Sequence, residues 1–102
     1  MFHYTNVTGY NGIRAQAVWL FQASQPPGDH PVGAYFTVLD PTTPKLAKKL
    51  LIPREKLGHV FKFVDVGDLQ TLRGGRGDFI LFSPADYPVV ENRQLHHGET
   101  GL

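Results

Sequence analysis

Residues 32–39, VGAYFTVL, decide how the chain is read. Aromatic and β-branched side chains fill this run and no charge interrupts it, the composition of a buried strand. Asp40 and Pro41 stop it, because a proline cannot donate to the ladder. Toward the N-terminus, residues 25–31 (QPPGDHP) form a loop by their prolines and glycine. Residues 17–24 (AVWLFQAS) are a second strand, with Trp19 and Phe21 alternating onto one side as core residues; Phe21 could also floor a cleft. Residues 8–15 suggest a short helix with Asn6 or Thr8 as N-cap, although its glycines weaken it. Residues 2–5 (FHYT) are a further short strand.

Toward the C-terminus, residues 40–44 (DPTTP) cap the next element, and residues 45–50 (KLAKKL) are that element, a short amphipathic helix. Leu46 and Leu50 share its inner face, Lys45, Lys48 and Lys49 its solvated one, and Pro53 prevents continuation. Residues 52–58 hold another single turn. Residues 59–66 (HVFKFVDV) alternate as a strand with at least one buried face. Residues 78–83 (DFILFS) are a short buried strand with an acid at its mouth. Beyond it lie a turn, a last strand from about Tyr87, and a polar end. Many short strands with two brief helices make an α+β domain dominated by antiparallel pairing.

Composition narrows the function classes. A chain of 102 residues, 41% hydrophobic and 12% aromatic, suits one globular domain with a single modest core. A formal net charge of +1 is too mild to argue electrostatically for a nucleic-acid partner. Cysteine is absent, which removes disulfides, thiolate nucleophiles and thiolate metal ligands. His96 and His97 with Glu99 do not make a metal site, since neighbours on a strand point to opposite faces. No apolar run reaches membrane-spanning length, and residues 1–10 lack the basic-then-apolar order of a signal peptide.

Three separated signals carry chemistry. His3-Tyr4-Thr5 comes first, Gly33-Ala34-Tyr35-Phe36 comes after a Pro/Gly loop, and Asp78 stands directly before Phe79-Ile80-Leu81-Phe82. An ionised acid beside a core strand costs solvation free energy unless something satisfies it. In this order the three motifs resemble those of the His-Tyr-acid ADP-ribosyltransferases, on the diphtheria-toxin and poly(ADP-ribose) polymerase side of that superfamily. The same order also resembles that of the bacterial polymorphic-toxin branch with a His-Tyr-Asp signature. The late slot of that pattern is an acid-Tyr-Ile-x-Tyr strand.

The resemblance implies two small antiparallel sheets forming an NAD cleft, with NAD as co-substrate and no metal. It implies that Asp78 stabilises charge on the ribose, that Tyr35 stacks on nicotinamide, and that His3 bonds a ribose hydroxyl. Tyr4, Thr5, Gly33, Phe36 and Thr43 complete the implied cofactor contacts. Glu91 is the competing acid. Tyr4 stands where the polymerases have glycine, and Asp78 where many relatives have Glu. The implied activity is transfer of ADP-ribose to a macromolecule, protein or nucleic acid, of a target cell. Such a domain would be the C-terminal piece of a larger delivered toxin, acting in the target-cell cytoplasm and paired with an immunity protein. Two other readings share the residues: an NAD glycohydrolase using the same cleft, and a non-enzymatic β-rich module that holds RNA or phosphate through Arg73, Arg76 and the lysines.

Overall fold

The computed structural model describes residues 1–25, 31–72 and 79–102. Asp78, Arg73 and Arg76 lie outside the described residues, as does most of the 25–31 loop. In chain order the elements are β1 (Phe2–Thr5), α1 (Val7–Arg14), β2 (Trp19–Phe21), β3 (Ala34–Thr37), α2 (Leu46–Leu50), a 3₁₀ turn (Arg54–Leu57) and β4 (His59–Phe63). Then come β5 (Gln70–Thr71), β6 (Ile80–Ser83), β7 (Tyr87–Val89), a second 3₁₀ turn (Glu91–Arg93) and β8 (Gln94–Glu99). The α+β class with antiparallel pairing is therefore observed.

Two antiparallel sheets result. One has six strands in the order β5-β6-β3-β1-β4-β8, and the other pairs β2 with β7. Register is set by the alternation of each strand. His3 faces Phe61 across β1 and β4, Tyr35 faces Phe82 across β3 and β6, and Trp19 faces Val89 across the small sheet. Inward positions fill the space between the sheets with aromatic rings. Phe21 stands edge-on to Phe36 (centroids 5.2 Å apart) and to Phe61 (5.6 Å), while Trp19 meets Phe61 edge-on at 4.9 Å. These tilted and edge-on contacts suit the ring quadrupoles and dominate the core. The rear of the large sheet carries Val60, and Leu46 and Leu57 are also buried.

Helix α1 begins where Asn6 caps it, its Oδ1 accepting a bond from the Gly9 amide at 2.9 Å. Tyr10 and Ile13 lay the helix against the core. Two local expectations are corrected. Asp40 does not cap α2: it closes its own turn, accepting from the Thr42 amide at 3.0 Å and the Thr42 hydroxyl at 2.6 Å. Lys45 precedes the helix in a left-handed conformation, φ 57°, with no capping side chain. The polar end is also a strand, because β8 pairs with β4 from Phe63↔Gln94 to His59↔Glu99. Its ladder bonds are backbone groups, which need no apolar pattern once β4 offers an unpaired edge.

Candidate functional site

A cleft of ≈ 570 Å³ opens where the C-terminal end of β1, helix α1 and the end of β2 diverge. Its walls come from both sheets: His3, Tyr4 and Thr5 from β1, Leu20 and Phe21 from β2. That volume falls within the range of small-molecule and cofactor sites. Among the described residues no carboxylate lines it, and Lys56 is its one formally charged side chain.

His3 is held on the wall by two aromatic rings and one hydrogen bond. Its ring lies 4.7 Å from Phe21 and 5.6 Å from Phe36, centroid to centroid. Burial pushes its pKa down to about 4, only partly opposed by a hydrogen bond to the Tyr35 carbonyl, so the imidazole is neutral near pH 7. Nδ1 lies 2.9 Å from that carbonyl oxygen. A carbonyl only accepts, so Nδ1 carries the proton and Nε2 keeps its lone pair. Nε2 has no protein partner among the described residues. The wall therefore presents a neutral, oriented hydrogen-bond acceptor.

Thr5 lines the cleft with its side chain turned toward α1, where a Cβ on Gly9 would sit 2.2 Å from Thr5 Oγ1. Tyr4 contributes to the wall, and its hydroxyl donates to the Leu39 carbonyl at 2.8 Å behind it. Gly33 sits one bridge from the cleft, paired through both backbone groups to the cleft-lining Ser24 at 3.0 Å. A Cβ at Gly33 would meet the Ser83 carbonyl at 2.7 Å, so this position requires glycine for close strand approach.

Tyr35 meets His3 through its carbonyl, not its ring. The ring stacks on Phe82 at 5.6 Å and 17°, and the hydroxyl donates to the Pro31 carbonyl. It is not among the cleft-lining side chains: with Phe2 paired to Thr37, strand alternation sets the Tyr35 side chain on the face opposite His3 and Phe36, with Tyr4 and Val60. Phe36 is a core residue, 3% exposed. Thr43 belongs to the Asp40 turn, its hydroxyl 3.3 Å from Asp40 Oδ1, and does not line the cleft.

Among the candidate acids, Asp78 lies outside the described residues. The cleft lies toward the Ala34 end of β3, where Ser24 pairs with Gly33. Glu91 is in the turn before β8 and does not line the cleft. Asp86, which sequence reasoning passed over, does not line the cleft either, but it is bonded to the strand end beside it. Its Oδ1 accepts from the Ala23 amide at 2.8 Å, and the two neighbours of Ala23, Gln22 and Ser24, both line the cleft. The only sequence signal for it is an acid standing directly before Tyr87, which opens β7.

Among the described residues no group of three or more His, Asp or Glu side chains is arranged to hold a metal ion. No described helix is long and apolar enough to cross a membrane. Comparison with protein-family models, with curated proteins and with solved structures finds no match to this chain.

Proposed function

We propose that the cleft binds NAD and that the protein transfers ADP-ribose from it to a macromolecule of a target cell. The observation that carries this is His3: a neutral imidazole, fixed by the Tyr35 carbonyl, with a free acceptor on the wall of a ligand-sized cleft. It joins two motifs of the His-Tyr-acid order through one hydrogen bond.

The chemistry assigned to the site is a displacement at the ribose C1′. The bond between C1′ and the nicotinamide nitrogen breaks, and its electron pair leaves with nicotinamide, which becomes neutral. Positive charge develops on the sugar ring, as in glycoside cleavage. A carboxylate at the ribose stabilises that charge, an interaction stronger in the transition state than in the ground state. Among the described acids Asp86, bonded to Ala23 beside the cleft wall, is assigned this role for a ligand that reaches past the wall to it; Asp78, outside the described residues, is the rival acid. His3 Nε2 accepts from a ribose hydroxyl and fixes the sugar without moving a proton. The acceptor's lone pair forms the new bond to C1′, and the acceptor's proton passes to solvent.

The supporting experiment uses folded protein, adenylate-labelled NAD and a cell lysate, with products separated before and after nuclease and protease digestion. Label on a macromolecule supports transfer and shows which polymer is modified. Free ADP-ribose alone means that water is the acceptor and the enzyme is a glycohydrolase. A folded wild type that leaves NAD intact removes both activities and favours the phosphate-binding module. The larger parent toxin and the immunity partner belong to the same proposal. A partner that plugs this cleft would block NAD consumption.

A further inference from the structure

Helix α1 is eight residues long and contains two glycines, Gly9 and Gly12, both on the cleft wall. Glycine is among the poorest helix formers, so each needs a reason. Gly9 has one inside the protein, because a Cβ there would collide with Thr5 Oγ1. Gly12 has none: a Cβ built on it meets nothing within 4 Å. Its backbone dihedrals do not demand glycine either, since its φ is not in the positive range. A bare stretch of helix backbone beside empty space is what close approach of a ligand requires.

Two independent features of the same cleft say what the ligand carries. Lys56 lines the cleft, and no described carboxylate pairs with it or shares the wall. An unneutralised ammonium on an acid-free wall favours an anion. The His3 Nε2 acceptor supplies the second, recognising a hydroxyl on that ligand. We infer that the cleft holds a sugar diphosphate ligand against the α1 backbone at Gly12, with its phosphates held by Lys56. Naming the diphosphate rests on the NAD assignment; the ligand contact at Gly12 does not.

The test measures binding of ADP-ribose and of adenosine by titration calorimetry at low and high salt, alongside thermal unfolding. Wild type is compared with Gly12→Ala, Lys56→Gln and, as a charge control, Lys48→Gln on the exposed side of α2. Gly12→Ala is expected to melt higher, by roughly 4 °C, because alanine favours the helix. It is nevertheless expected to bind ADP-ribose at least about tenfold more weakly, a loss that cannot come from unfolding. Lys56→Gln is expected to lose roughly tenfold for ADP-ribose and nothing for adenosine, with a flatter salt dependence. Lys48→Gln should match wild type.

The inference is overturned if Gly12→Ala binds as wild type does, if it melts lower, or if Lys56→Gln behaves like Lys48→Gln. Wild type that binds no ADP-ribose also overturns it. Nicotinamide release, read on the same samples, separates this from the NAD assignment. Binding through Gly12 and Lys56 with no release upholds the ligand site and removes the enzyme. Release that is equally fast, with unchanged KM, in every variant keeps the enzyme and overturns the site.

Discussion

His3 Nδ1 lies 2.9 Å from the carbonyl oxygen of Tyr35, and this bond ties the first motif strand to the second. It also sets a protonation state. A ring packed against Phe21 and Phe36, with one nitrogen committed to a carbonyl, has little to stabilise a second proton.

The first prediction concerns pH. With a folded pKa of about 4 against an ordinary 6.5, His3 adds no pH dependence above 6.5, where both states are neutral. Below 6.5 the unfolded chain takes up a proton that the folded chain refuses, so stability falls as pH falls. The loss attributable to His3 reaches about 3 kcal/mol by the folded pKa. Urea unfolding of wild type and His3→Gln between pH 7 and 4 should show the two stability curves converging, or crossing, toward pH 4. Parallel curves would place His3 in a solvated environment.

A second prediction concerns the seat of α1. Gly9→Ala forces Thr5 Oγ1 aside, since the new Cβ would sit 2.2 Å from it. A cost of about 1–2 kcal/mol is expected, within the range for overpacking. Thr5→Ala in the same chain should recover most of it. A double-mutant cycle on unfolding free energy measures the coupling, and additive effects would show that the two groups do not meet.

Tyr35 gives a third. Its ring stacks on Phe82 on the face of the sheet opposite His3. Tyr35→Leu should therefore cost about 1 kcal/mol of unfolding free energy and leave the binding of NAD and of ADP-ribose alike unchanged. NAD binding weakened several-fold with ADP-ribose binding unchanged would instead put the ring at the nicotinamide.

A fourth concerns backbone strain away from the site. Leu51 ends α2 with φ 52° and is 61% exposed, a left-handed position that favours glycine. Leu51→Gly should stabilise the protein by about 1 kcal/mol, read by denaturant midpoint, with the turnover rate unchanged.

Local pattern carried most of the architecture. The β3 run ending at Asp40-Pro41, the alternation of residues 59–63 and the Asn6 cap of α1 are properties of contiguous residues, and each is visible in the sequence. Strand β8 was not, because Gln94–Glu99 has no apolar alternation and its place is fixed by pairing with β4. His3 was legible by motif, but its bond to Tyr35 is made across 32 residues. Asp86 was hidden for the same reason. In the sequence it sits in a proline-flanked turn, while the apolar run after Asp78 draws attention there. Only the fold brings Asp86 to Ala23, 63 residues away, between two residues of the cleft wall. Lys56 and Gly12 became informative through what surrounds them, or does not, in three dimensions.

The most direct measurement is the initial rate of nicotinamide release from NAD by wild type, Asp86→Asn and Asp78→Asn, each shown to be folded. Asn at 86 keeps an oxygen for the Ala23 amide and removes only the charge. Release by wild type, falling at least about a hundredfold in Asp86→Asn and little in Asp78→Asn, is the predicted result. Undiminished release by Asp86→Asn, or no release by folded wild type, would contradict the assignment of Asp86 as the acid of an NAD-consuming site.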